Sequence, residues 1–381
     1  MDYILSQFLP KGLARLDPQV REILRAALAQ ARYMQVPASA AVNEAVKLTR
    51  TFKKASASGL VNAVLRRAIG YDLGSAVFAD EVERLMVLGS AGRDVAAFLH
   101  EHYPDEALDI LTHTADGGLT SLRANPLKGT PETLCEKLLA SGAKTAAPGL
   151  VPGSVLARFE GSPAESGLFR DGYFHVEGQA SQLAALCVEA KPGDTVLDLC
   201  AAPGGKSLLL IEEMQDEGRL VSCDVSENRV QLIRKAVERM GFAHVEPRVS
   251  DGTKPDADLP MADAILVDGL GILAKKPDIR YKTLEKARHD ELLATQSAIL
   301  DTAAAHLKEG GRLVYSTCTI DPAENEEQVR AFVGRHPEFR VVTPDVRFPA
   351  GMTVGDWGAL SVPTRTGMDG FFLCAMQKRD S

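Results

Sequence analysis

The sequence predicts an α/β fold: a doubly wound, Rossmann-like parallel sheet, preceded by a small α/β module and an all-helical N-terminal region. Three observations carry this prediction. Residues 195–206 pass from an apolar strand through a loop of minimal side chains into an apolar helix, the order of a nucleotide-binding α/β unit. Four more strand-like runs follow, each with a polar residue at or just past its carboxyl end. Before residue 70 the apolar residues recur at helical spacing instead.

The N-terminal elements come first. Asp17-Pro18 opens a helix, because Asp caps a helix start and Pro fits its first turn. Val20, Ile23, Leu24 and Leu28 form its apolar stripe, and Val36-Pro37 interrupts it. Val42, Ala45, Val46 and Leu48 form a second stripe, and Gly59 to Ala68 a third. Residues 71–115 read as a linking helical region, with helices at Glu81–Leu88 and Val95–His102. His100 and His102, two apart, do not share a helix face and read as solvated. From Leu119 the pattern changes. Thr120–Asn125 is a short strand, Thr130-Pro131 starts the helix Glu132–Ala140, and Val151–Phe159 and Gly172–Val176 are strand-like. Gly178–Leu183 begins the helix that leads into the large sheet. The domains expected are therefore 1–70, 71–175 and 176–381.

In the sheet, Thr195–Leu199 has the length and β-branched content of a buried strand. The loop Ala202-Pro203-Gly204-Gly205 lets a ligand approach the backbone. It lacks the spaced glycines of dinucleotide enzymes. It is no phosphate loop either, since Gly205-Lys206-Ser207 lies too close to the strand. The bland alternative is a tight turn. Arg219–Asp224 ends in an acid placed to accept from ribose hydroxyls. The helix Glu227–Met240 shows Val230, Ile233, Val237 and Met240 on one face, and Gly241 stops it. Strands at Val245–Val249, Ala264–Asp268 and Gly311–Cys318 lead to Asp251, Asp268 and Cys318. Any one acid could be a cap or turn residue, the favoured reading for Asp251. Five polar strand ends in succession mark the ligand edge of a doubly wound sheet.

Composition bounds the class. The 381 residues carry a net charge of −8 and show no repeat or low-complexity segment. Neither a signal peptide nor a membrane-length apolar run is evident, so a cytoplasmic protein is expected. Six cysteines without Cys-x-x-Cys spacing argue against a disulfide framework or a metal site. Charge is uneven: residues 1–70 hold eleven basic and four acidic residues, a net of +7. Such a segment can form a basic face for a polyanion, or an ordinary solvated helical surface.

The chain resembles a known family. Asp198–Lys206, Asp224-Val-Ser-Glu-Asn-Arg229, Gly269–Arg280, Tyr315-Ser-Thr-Cys-Thr-Ile320 with Asn325-Glu326, and Asp369-Gly-Phe-Phe372 are similar, in order, to motifs of the AdoMet-dependent RNA cytosine carbon-5 methyltransferases of the Sun (Fmu) type. Those enzymes modify small-subunit ribosomal RNA. The resemblance implies an AdoMet methyltransferase sheet, AdoMet as cofactor and small-subunit ribosomal RNA as partner, with no membrane, no metal and a single copy of the chain. Cys200, Ala201, Ala202, Pro203, Gly204, Gly205 and Lys206 would wrap the methionine end of AdoMet. Asp224, followed by Arg229, would hold the ribose, and Asp251 would lie near the adenine. Asp268 and Lys206 would flank the target base, and Cys318 would be the nucleophile. Asn43-Glu44-Ala-Val46 and Val61–Arg67 resemble the later helices of a NusB-like RNA-binding domain, here read as truncated. Arg123 and Asn125 stand between RNA-backbone contact and a structural role. Glu177 occupies a place usually held by Gln.

These residue types suit the chemistry. Carbon 5 of cytosine is a weak nucleophile; a thiolate adding at carbon 6 makes it enamine-like. A carboxyl group beside the ring can support the charge that develops. For Cys318 the structural alternative is a small buried hydrophobe at a strand end, against which its polar neighbours Ser316, Thr317 and Thr319 argue. One departure bears on turnover. Asp268 runs straight into Gly269-Leu270-Gly271, without the family's Pro-Cys-containing loop, whose cysteine assists adduct breakdown. The readings are therefore a carbon-5 methyltransferase acting through a Cys318 adduct, or a catalytically impaired or non-catalytic RNA- and AdoMet-binding protein in ribosome assembly. A protein or small-molecule methyltransferase has little support, since direct transfer to nitrogen or oxygen has no use for Cys318.

Overall fold

The computed structural model describes residues 1–269 and 286–380. The chain forms two compact units, Met1–Ala91 and Gly92–Ser381. The first is helical, with its main helices at Pro18–Tyr33, Ala38–Thr51 and Ser58–Ala68. Asp17 caps the first of these by accepting from the Gln19 amide at 3.0 Å. Val20, Ile23, Leu24 and Leu28, read as one stripe, join Val42, Ala45, Val61 and Leu65 in a single core.

The second unit contains two sheets. The smaller is antiparallel, in the order 145–148, 154–158, 120–124, 174–176, and the helix Pro131–Ala140 lies against it. Its edge strand Thr145–Pro148 was not expected; its short, mostly exposed Thr-Ala-Ala-Pro lacks any apolar alternation. Arg123 and Asn125 are buried in this module. The Asn125 amide donates to the carbonyls of Gly172 and Met240 at 2.7 and 2.9 Å, and Arg123 pairs with Glu212. Both are structural, and burial removes them from any RNA surface.

In the larger sheet the order runs 353–355, 358–361, 371–378, 307–317, 262–269, 195–198, 219–224, 245–249, and 339–342 also pairs with 371–378. The five strands from 307–317 to 245–249 are parallel. Alternate residues feed opposite faces. Val196, Leu220, Leu266 and Val314 enter one core, while Leu197, Val221, Ile265 and Tyr315 enter the other. Burial on both sides explains why these strands read as continuous apolar runs. Strand 195–198 comes first in sequence. The chain moves outward from it through 219–224 and 245–249, then returns to its other side at 262–269. The crevice lies at that reversal, beyond the carboxyl ends. Among the described residues no helix is long and apolar enough to cross a membrane.

Candidate active site

The strand ending at Asp198 delivers the loop directly into the crevice. Gly204 has φ +110°, a left-handed conformation, and caps the helix Gly205–Glu213. A side chain there would be strained and would press on Ile233, whose Cα lies 3.4 Å from the Cβ position. Below the loop, Ser222 donates to Ser207 at 2.9 Å and Ser207 donates to the Asp198 carboxyl at 2.7 Å. This chain ties two strand ends to the helix start. Burial pushes the Asp198 carboxyl up to about 7, against the pull of Ser207 and Lys206.

Lys206 projects from the first turn of that helix. Its ammonium lies 2.8 Å from Asp268 and 3.6 Å from Glu177, and 5.8 Å from the centre of the Phe371 ring. Burial alone would lower its pKa; Asp268 and Glu177 outweigh that and hold it above the ordinary lysine value. Asp268 also accepts from the Ser316 hydroxyl at 2.7 Å. Both its oxygens are thus fixed, because the 262–269 and 307–317 strands set Asp268 opposite Ser316.

Cys318 follows the last residue of the 307–317 strand. Thr317 donates to Asn325 at 2.5 Å, and the Asn325 amide returns to the Thr319 carbonyl at 3.1 Å. The thiol is therefore held on a braced turn. Tyr315 anchors the same turn by donating to the Glu324 carbonyl at 2.8 Å. Of the six cysteines, only Cys200 and Cys318 are partly exposed. Burial pushes the Cys200 thiol well above the usual range.

Eight of the expected residues, Cys200, Ala201, Ala202, Pro203, Gly205, Lys206, Asp268 and Cys318, line one cavity of about 310 Å³. Glu177, Ser181 and Asp198 line it too; the sequence reading noted Glu177 only as a departure and gave the other two no role. Gly204, Asp224, Arg229 and Asp251 lie outside this lining. Asp224 is buried and pairs with Arg229 at 3.2 Å, while Arg229 donates to the Ala202 carbonyl at 3.1 Å, so this pair backs the loop. Asp251 closes a turn onto Thr253 and Lys254. Those contacts, the Thr253 hydroxyl first, hold its carboxyl down at about 2. The segment Leu270–Arg280 lies outside the described residues. One group of possible metal ligands exists among the described residues. The ligand atoms of His289, Asp321 and Glu324 lie within 4.8 Å of one another, and a His289–Asp321 contact of 3.2 Å accounts for part of it without an ion.

Comparison with known proteins gives a consistent result. The family model described as 16S rRNA methyltransferase RsmB/F matches residues 185–377, and that of the NusB family matches residues 1–70. A probable ribosomal RNA small subunit methyltransferase B of Bacillus subtilis is 32% identical, over 100% of this chain and 87% of its own length. A probable methyltransferase of the same name from Synechocystis is 31% identical, over 99% and 87%. The crystal structure of PH0851, 27% identical, superimposes with a TM-score of 0.81, covering 99% of this chain and 86% of that one.

Proposed function

This chain belongs to the 16S rRNA methyltransferase RsmB/F family, and on that premise we propose that it methylates carbon 5 of a cytosine in small-subunit ribosomal RNA, with AdoMet as methyl donor and Cys318 as covalent nucleophile. The observation that carries the reading is the opening of Cys318, the Lys206–Asp268 pair and the glycine loop onto a single cavity. Cys318 packs partly against the core, and its place beside a fixed cation–carboxylate pair in the same cavity suits covalent chemistry.

The residues suit AdoMet. Its sulfonium is a cation, and the cavity is lined by the carboxyl groups of Glu177, Asp198 and Asp268. The Asp198 Oδ1 is buried without a hydrogen-bond partner, which fits an incoming positive donor. Asp224 and Arg229, behind the loop, would meet the ribose. Bound there, AdoMet supplies an electrophilic methyl group. Cys318, which lines the same cavity as Lys206, adds as thiolate to carbon 6 of the base. Asp268, immobilised by Lys206 and Ser316, would support a protonated ring nitrogen as the negative charge from sulfur moves into the base. The target base must leave its stack to reach this cavity, which favours loops or bulges in the RNA. In the first unit Arg50, Lys53, Arg66 and Arg67 are exposed, and each would serve as a phosphate contact that positions the RNA.

The test is incubation with methyl-labelled AdoMet and unmodified small-subunit ribosomal RNA, followed by nucleoside digestion and a denaturing gel. Labelled 5-methylcytidine from the native chain and none from Cys318→Ala supports the reading. AdoMet binding with neither product nor adduct would move the assignment to a non-catalytic RNA-binding role, which the sequence after Asp268 leaves as the second reading.

A further inference from the structure

After methyl transfer, carbon 5 carries both the new methyl group and its original hydrogen, and Cys318 is bonded to carbon 6. The product leaves only when a base removes that hydrogen. Three carboxyl groups and two thiols line the cavity, and four of these five groups are committed elsewhere. Cys318 is itself in the adduct. Cys200 packs against the core behind the loop, and desolvation together with the nearby carboxylates raises its thiol above the usual range. Asp198 is 1% exposed; Ser207 holds one of its oxygens, and the other is the one assigned above to AdoMet. Asp268 holds Lys206 with one oxygen and Ser316 with the other.

Glu177 differs from all four. Its nearest ionic partner among the described residues is Lys206 at 3.6 Å, too long for a hydrogen bond. Its main chain is pinned: the amide donates to Ser121, and the carbonyl accepts from the Ser121 hydroxyl and the Gln182 amide, both at 2.8 Å. Its carboxylate reaches across the loop into space that only a glycine leaves, since a Cβ on Gly205 would lie 1.7 Å from Glu177 Oε2. The side chain is therefore positioned at the cavity and still has lone pairs to use.

We infer that Glu177 is the general base that takes the carbon-5 proton and so releases the methylated base from Cys318. The proton passes to the Glu177 carboxylate. The C–H electron pair forms the carbon 5–carbon 6 double bond, the carbon 6–sulfur bond breaks, and Cys318 leaves as thiolate. Lys206, also beside Asp268, sets the carboxylate without sharing the proton tightly.

This inference rests on the Cys318 reading, so the experiment separates the two. RNA bearing tritium at carbon 5 of cytidine is incubated with the full chain and methyl-labelled AdoMet; tritium in water, free methylated RNA and the gel-stable adduct are followed together. The native chain should release tritium and methylated RNA. Glu177→Gln should still form an adduct carrying the methyl label, retain its tritium, and release product about 100-fold more slowly or worse, the span expected for a lost general base. Glu177→Asp keeps a carboxylate and should restore part of the release; it is the informative variant should Glu177→Gln not fold. Tritium release by Glu177→Gln at the native rate would overturn the assignment, as would a loss of adduct formation itself, which would place Glu177 upstream of release. Absence of any Cys318-dependent adduct in every variant, the native chain included, would instead overturn the parent reading.

Discussion

Arg123 offers the sharpest test of how the small module is joined to the catalytic sheet. Its guanidinium Nε donates to both oxygens of Glu212, at 3.0 and 3.1 Å, and a terminal nitrogen donates to the Pro152 carbonyl. The side chains are 5% and 12% exposed. Glu212 sits near the end of the helix that begins in the glycine loop, so the pair links the antiparallel module to the element bearing Lys206. Arg123→Met fills much of the volume but leaves Glu212 buried without its cation. Breaking a buried pair in this way costs about 3–5 kcal/mol, a large share of the ~5–15 kcal/mol of a typical domain. The pH dependence has a definite sign. Burial raises the Glu212 carboxyl above its ordinary value, and Arg123 opposes this. Without Arg123 the folded-state pKa climbs further, and stability is then lost as pH rises from the ordinary carboxylate range through that raised value. The variant should therefore be less handicapped at pH near 5 than near 8. Urea unfolding followed by the fluorescence of Trp357, the single tryptophan, reads this in the unit that contains the pair. A loss under about 1 kcal/mol, the worth of a surface ion pair, or a loss equal at both pH values, would refute the argument.

Further predictions concern the site and its supports. Lys206→Met leaves Asp268 and Glu177 facing each other across the cavity without their cation; methyl transfer should fall about 10²–10³-fold, with folding checked by circular dichroism. Gly204→Ala forces a side chain into a left-handed turn beside Ile233; it should cost about 1–3 kcal/mol and weaken AdoMet binding by calorimetry. Burial pushes the Glu324 carboxyl up to about 7, despite its bond from Gln296. Its contribution to stability is present below the ordinary value of 4.5 and is lost as pH rises through about 7, so Glu324→Gln should flatten the stability–pH curve across that window. Replacing Arg50 and Lys53 by Ala should weaken RNA binding and lower the salt slope by about one unit per lost phosphate contact, while AdoMet affinity stays the same in the same preparation.

Much of this architecture was legible because the sheet is buried on both faces. Arg219–Asp224 and Glu227–Met240 have the boundaries their residues predict, since an apolar run with a polar end and a capping Gly241 mark them locally; the edge strand Val245–Val249, none of whose residues is buried, has its predicted bounds too but not for that reason. Elements whose stability comes from distant partners were less visible. Thr145–Pro148 exists because strand 154–158 pairs with it, and nothing in its four residues says so. The C-terminal strands were read only as a short motif, although Phe371–Lys378 pairs along most of 307–317 and thereby fixes the strand that ends at Cys318.

The same distinction divides the site. Glycines, a lysine and terminal acids advertise themselves because backbone conformation and strand ends are local properties. What a carboxylate is free to do depends on who else holds it, and that is a tertiary property. Asp268 is the acid that the motif singles out, yet Ser316 and Lys206 occupy both of its oxygens, which suits it to hold a base in place. Glu177 lies some 90 residues earlier in the chain, just past a strand of the small module and not at a strand end of the large sheet. It reaches the cavity because Ser121 and Gln182 pin its backbone and Gly205 makes room for it. A proton acceptor must be positioned without being saturated; with the open oxygen of Asp198 assigned to AdoMet, Glu177 is the acid of this cavity whose contacts leave it for that task.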